Sequence, residues 1–258
     1  MSTSKLSRKF NVEKLHVKIF DDRQKMGRAA AQDTAEQMRK IITEKGSVNM
    51  IFAVAPSQNE FLEHLISMPK IDWSKVIGFH MDEYVGLPNN APQQFSKFLQ
   101  ERLFEKVSFK DVHYINGNAE NLQTECERYR ELLRAYPVDI TCMGIGENGH
   151  IAFNDPSVAD FNDPHFIRVV ELDDVCRQQQ VNSGCFETFD EVPTHALTLT
   201  IPALMAAKWI SCVVPGKRKA SAVDAALKEQ ISTGCPASIL RTHDNATLYL
   251  DKDSARLL

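Results

Sequence analysis

Short β-rich apolar runs alternate with longer helical stretches over most of the chain. Met26 to Lys45, MGRAAAQDTAEQMRKIITEK, has the composition of a strong helix, and Gly46 supplies its stop. VNMIFAV, Val48 to Val54, reads as a buried strand. Ser57 reads as opening the next helix, with Glu60 three residues on completing a capping box ahead of FLEHLI. VIGFHM, Val76 to Met81, predicts a second strand, QQFSKFLQERLF a helix and VHYI a third strand. The stretch NAENLQTECERYRELLRAY predicts a long helix leading into VDITCMG, Val138 to Gly144, a fourth strand. Beyond it, HALTLTI, KWISCVV and ATLYL read as further strands, and KRKASAVDAALK and PASILRT as further helices.

This alternation implies one α/β domain over residues 1–258, built on a mostly parallel, doubly wound, Rossmann-like sheet with helices on both faces. No internal repeat, low-complexity tract or linker interrupts it. In such sheets ligands bind beyond the carboxyl ends of the strands. AVAPSQNE, FHMDEYVGLP, MGIGENGHIAFNDP and VVPGKRKA each begin where a strand runs out, so all four loops are expected to meet at one edge.

Composition narrows the classes. A chain of 258 residues with 43% hydrophobic and 25% charged residues can bury a sizeable core and is not a disordered sequence. The formal charge of −4 offers no broad basic surface to nucleic acid, the nearest approach being Lys217-Arg218-Lys219. Runs such as Met50 to Ala55 and Trp209 to Pro215 are strand-sized, short of the roughly 20 apolar residues that span a bilayer, so no membrane association is expected. No apolar segment follows the basic SKLSRKF to make a secretory signal. Six cysteines without a C-x-x-C pair, two of them in the strand-like runs at Cys142 and Cys212, point to a reduced, cytoplasmic protein without disulfides or structural zinc. Oligomeric state is not written in the pattern, and a homo-oligomer stays open.

Candidate chemistry sits in the four loops. Asp82 and Glu83 are adjacent in an extended segment, so one carboxylate is expected to face the cleft while the other takes a structural bond; the inward one, Asp82, is a candidate general base. In GIGENGHIAFNDP, His150 follows Gly149, and Asp155 five residues later can orient its ring if the loop folds back. A lone loop histidine is more often structural, but the glycines and the strand-end position shift the balance towards function. A metal site made of His150, Asp155 and Asp82 is the weaker reading, since no paired-histidine motif or calcium loop is present. APSQNEF begins a helix, where free N–H groups favour an anion, and Ser57, Gln58 and Asn59 add donors. In PGKRKA, Lys219 can reach a phosphate, and three cations at a helix N-terminus call for a compensating anion. The residues alone describe an enzyme using acid–base chemistry on a phosphorylated small molecule, with the substrate open.

Four blocks carry a resemblance: MDEYVGLP, Met81 to Pro88; GIGENGHIAFNDP, Gly144 to Pro156; VPTHALTLTIPAL, Val192 to Leu204; and CPASILRTHDNATLYLD, Cys235 to Asp251. They resemble the glucosamine-6-phosphate deaminase family, to which the 6-phosphogluconolactonases are related in fold and in a DGH-type loop. The resemblance implies conversion of glucosamine 6-phosphate and water to fructose 6-phosphate and ammonia, by ring opening and transfer of the C2 proton to C1 through an enediol-type intermediate, with no cofactor and no metal. By the same resemblance Asp82 matches the base, His150 the ring-opening histidine, and Lys219 the phosphate-binding lysine. Asp155 stands where the family usually has Glu, and Asn148 where it usually has Asp. APSQNEF replaces a TGxTP-like phosphate loop, and NSGCF, Asn182 to Phe186, lacks the arginine of NxRFF. These departures point either to the deaminase reaction with altered contacts, to a related isomerase or lactonase of shifted specificity, or to a catalytically weak sugar-phosphate sensor. Retention of Asp82 and His150 favours an enzyme.

Overall fold

Alternating side chains of each central strand enter two different cores, which is why helices must cover both faces of the sheet. In the computed structural model, which describes residues 6–258, Met50 and Phe52 of β3 (Val48–Phe52) join one core while Ile51 joins the other. The first core is closed by the buried alanines and methionines of α1 (Arg23–Lys45) and by Phe61, Leu62 and Leu65 of α2 (Asn59–Ile66). The second is closed by Tyr129 and Leu133 of α4 (Leu122–Ala135) and by Val223 and Leu227 of α7 (Ala220–Lys228). Between them in sequence lies α3 (Phe95–Leu99), which runs on into a π-helical turn at Gln100–Phe104.

Among the described residues the main sheet has eight strands. From one edge to the other they are β1 (Leu6–Val12), β2 (Leu15–Phe20), β11 (Ala246–Asp251), β10 (Trp209–Val214), β7 (Ile140–Met143), β3, β4 (Val76–His80) and β6 (Asp111–His113). Every neighbouring pair is parallel except β1 with β2, a hairpin whose outer strand β1 is largely exposed. A second, antiparallel sheet of β5 (Asp82–Tyr84), β9 (His195–Leu199) and β8 (Ile167–Glu171) sits over a third apolar cluster that includes Tyr84, Phe95, Phe153 and Cys176. Two further helices, α5 (Asp174–Asn182) and α6 (Ile201–Met205), flank this sheet in sequence. Among the described residues no helix is long and apolar enough to cross a membrane.

The α/β architecture and the strand runs at Val48, Val76, Val138, Lys208 and Ala246 agree with the pattern read from the sequence. Strands β1, β2, β5 and β8 lie outside the runs read from the sequence, and three predicted features differ. HALTLTI is a strand, but of the small sheet; alternation specifies a half-buried strand and not which partner it finds. Ser57 does not cap α2: Pro56–Gln58 form a 3₁₀ turn, α2 begins at Asn59, and no side chain caps either element. Glu60 is drawn instead to Arg23 on α1, with Nε 2.6 Å from Oε1, an ion pair that competes with the capping box. PASILRT coils as a 3₁₀ helix, Pro236–Thr242.

Candidate active site

From β3 the chain proceeds to β4 on one side, whereas from β7 it passes through the small sheet and rejoins the main one at β10 on the other side. The adjacent carboxyl ends of β3 and β7 therefore diverge, the place where an open α/β sheet leaves a crevice. A cleft opens there, lined by Ala53 to Gln58 after β3, Asp82 after β4, Gly144 and His150 after β7, and Lys219 after β10. It continues into an outer basin of about 710 Å³ whose rim carries Arg23, Lys217, Arg218 and Lys219.

Asp82 and Glu83 divide as adjacent extended residues should. Glu83 accepts backbone N–H bonds from Tyr84 (3.0 Å), Phe95 (2.9 Å) and Ser96 (2.9 Å), which tie β5 to the start of α3. Asp82 lines the cleft, and its Oδ1 is buried without a hydrogen-bond partner. Burial, and the Glu83 carboxylate beside it, push the Asp82 pKa well above the usual carboxylate range, which makes it a stronger base once ionised. Its backbone is held by His80, whose Nδ1 lies 2.9 Å from the Asp82 carbonyl oxygen while Nε2 accepts from the N–H of Ile115 at 2.8 Å. That pairing fixes a neutral tautomer with the proton on Nδ1, and burial lowers the His80 pKa to about 4.

The loop after β7 folds back on itself. Gly146 N–H donates to the His150 carbonyl at 2.8 Å, and Gly149, with φ of 85°, makes the reversal. Asn154 bonds the carbonyls of Ile151 (2.9 Å) and Leu199 (2.8 Å), and Phe153 N–H donates to Thr198 Oγ1 at 3.0 Å, so β9 props the loop from behind. The result places His150 Nδ1 2.8 Å from Asp155 Oδ1. Burial opposes charge on Asp155, but His150, Asn148 and the Asp173 N–H together hold its pKa below the usual value. The His150 ring is packed directly on Gly146: a β-carbon there would lie 2.2 Å from Cε1.

Lys219 Nζ is 3.0 Å from Gln179 Oε1, which also accepts from the Glu147 N–H at 2.6 Å. Burial brings the Lys219 pKa down to about 8. Ser57 lines both the cleft and the basin. Gln58 is a buried strut, its Nε2 3.3 Å from the Val213 carbonyl and 3.3 Å from Ser57 Oγ. Asn59 is not brought to the cleft: its Oδ1 accepts from Arg102 Nε at 3.2 Å, on the outer side of α2. Asp82, His150, Asn148, Asp155, Ser57, Gln58 and Lys219 are thus gathered at one sheet edge. Sequence reading missed the contribution of α5, which brings Cys176, Gln179 and Gln180 to the same place, with Asp173 as its N-cap. Its run DVCRQQQVN reads as an ordinary surface helix; only the row of three glutamines stands out.

Among the described residues the side-chain ligand atoms of His150, Asp155 and Cys176 all lie within 4.8 Å of one another, the spacing a metal ion would need, whereas Asp82, read from the sequence as the third ligand of such a site, is not part of this group. Cys176 is a buried thiol whose pKa stands well above its usual value, chiefly through burial, and a thiol held protonated is a poor ligand. As built, the cluster suits proton transfer: a buried histidine with a carboxylate 2.8 Å from its Nδ1, a second carboxylate of raised pKa lining the cleft, and cations at the mouth.

Residues 21–249 match the family described as glucosamine-6-phosphate isomerases/6-phosphogluconolactonase. A glucosamine-6-phosphate deaminase of Bacillus cereus (strain B4264) is 42% identical over 188 residues, 73% of this chain and 70% of the relative. One from Bacillus thuringiensis (strain Al Hakam) is 43% identical over the same shares. Among solved structures, a monomeric glucosamine-6-phosphate deaminase superposes with a TM-score of 0.85 at 30% identity, covering 94% of this chain and 99% of the other. The 6-phosphogluconolactonase of Thermotoga maritima shares the fold, with a TM-score of 0.75 at 20% identity over 93% and 100% of the two chains. With nearly the whole α/β unit matched and the cleft built from the matching loops, the chain belongs to the glucosamine-6-phosphate isomerase/6-phosphogluconolactonase family.

Proposed function

We propose that the protein is a glucosamine-6-phosphate deaminase, converting glucosamine 6-phosphate and water to fructose 6-phosphate and ammonia. The observation that carries this reading is the His150–Asp155 pair, 2.8 Å apart, beside a cleft lined by Asp82, whose buried Oδ1 has no hydrogen-bond partner. One acid–base group opens a sugar ring; a separate base then moves a carbon-bound proton.

The phosphate lies in the basic basin against Lys219 and Ser57, and the reacting carbons reach into the inner cleft. His150, oriented by Asp155, takes the proton of the anomeric hydroxyl and delivers it to the ring oxygen, giving the open-chain aldehyde. Asp82 removes the C2 proton and returns it to C1, while one proton of the substrate's ammonium passes to O1, through an enediol-type intermediate that carries the amine at C2. The resulting C2 iminium adds water and expels ammonia, leaving the ketose. Six free thiols and a phosphorylated metabolite fit a reducing, cytoplasmic setting.

The test is ammonia and ketose-phosphate release by the purified protein from glucosamine 6-phosphate, beside galactosamine 6-phosphate and 6-phosphogluconolactone. We expect turnover of glucosamine 6-phosphate, with Asp82→Asn lowering kcat by about 10²–10⁴-fold and His150→Ala by a similar factor. Hydrolysis of the lactone in place of deamination would move the assignment to the other branch of the family. Binding of all three without turnover would leave a sensor.

A further inference from the structure

The Asn148 side chain bridges two elements and two carboxylates. Its Nδ2 lies 3.0 Å from Asp155 Oδ1 and 3.2 Å from Asp173 Oδ2, so each of its two N–H bonds has an acceptor, while its Oδ1 accepts from the His150 N–H at 3.1 Å. Asp173 is the N-cap of α5, its Oδ1 accepting from the Cys176 N–H at 2.7 Å, and its own N–H reaches Asp155 Oδ2 at 3.4 Å. The histidine-bearing loop and α5 are thus joined as carboxylate, amide, carboxylate. A carboxylate at position 148 would remove both donors and set three acids within hydrogen-bond distance, where like charges cannot all ionise. Asp155 would be one of the three, and its Oδ1 is the atom 2.8 Å from His150 Nδ1.

We propose that Asn148 and Asp173 are a coupled pair of positioning residues: the acid at 173 requires an amide at 148, and together they keep Asp155 ionised opposite His150. The departure from DGH at position 148 is then a relocation of charge to another element, not a loss. This rests on the deaminase reading for its kinetic arm only. The titratable groups around the pair are Asp155 and His150 on the loop, Cys176 on α5 and Asp82 after β4.

The experiment compares Asn148→Asp, Asp173→Asn and the double exchange in the full-length protein. One arm is kcat and KM against pH for glucosamine 6-phosphate; the other, independent of turnover, is the titration of the Asp155 carboxyl carbon by NMR. Asn148→Asp should lower kcat at least about tenfold with little change in KM, and raise the Asp155 pKa through the new like charge and the lost donors. Asp173→Asn in that background removes one of the three acids and lets an amide at 173 donate to the acid at 148, while Asn still caps the helix; kcat should recover at least about threefold over Asn148→Asp and the Asp155 titration should fall part of the way back. A double variant no better than Asn148→Asp in either arm, or an Asn148→Asp protein with unaltered titration, overturns the coupling. Should Asn148→Asp alone fail to fold, recovery of folding in the double variant supports the proposal and its absence counts against it. If the wild type turns over no amino-sugar phosphate, the deaminase reading fails while the NMR arm still decides the pair.

Discussion

The His150 imidazole occupies the space that any β-carbon at position 146 would need, with Cε1, Nε2 and Cδ2 all between 2.2 and 2.4 Å from it. Gly146→Ala should therefore displace the ring and cut kcat by about 10²-fold, the cost of misplacing a catalytic group by an ångström, while thermal unfolding moves little; steady-state kinetics beside a melting curve separates the two. Lys219 gives a pH prediction. Burial places its pKa at about 8, so the ammonium that attracts phosphate is present below that pH and lost above it. KM should be flat below about pH 8 and rise above it by up to about tenfold per unit, with Lys219→Arg abolishing the rise because arginine stays charged. At this scale the sequence told much, because His150, Asp82 and Lys219 sit beside glycines or strand ends that mark them out. It misled at Asn59, whose place one residue past a 3₁₀ turn sends the side chain to Arg102.

Helix α1 and helix α2 approach so closely that a β-carbon on Gly27 would lie 2.7 Å from Glu60 Cβ and 2.9 Å from the Phe61 nitrogen. Gly27→Val should destabilise the fold by about 1–3 kcal/mol through overpacking, read as a lower denaturation midpoint at unchanged slope. The same contact explains the misread start of α2: with Arg23 on one helix and Glu60 on the other, the glutamate has a stronger partner than an N-cap N–H. The central strands β3, β4, β7, β10 and β11 were legible because short, nearly continuous apolar runs record burial on both faces. Sheet membership was not, since β9 shows the same alternation in the small sheet that a main-sheet strand would show. The role of α5 was hidden for a related reason: Gln179 is unremarkable until tertiary packing sets it against Lys219.

Across the whole molecule, the mostly parallel, doubly wound architecture could be anticipated from alternation, and with it the edge where the loops gather, because parallel strands send their carboxyl ends the same way. The N-terminal hairpin could not, since β1 carries too many polar, exposed positions to stand out as a strand. That same polarity has a consequence for how copies of the protein meet. Among the described residues nothing pairs with the outer side of β1, so it presents free backbone groups to solvent, and the two cations next to each other on it, Arg8 and Lys9, repel a like strand arriving edge to edge. Replacing both with valine should leave deamination intact but let molecules stack along this border, seen as light scattering that grows with concentration on mild heating; a clear solution would mean that the hairpin's own twist already keeps the border closed to neighbours.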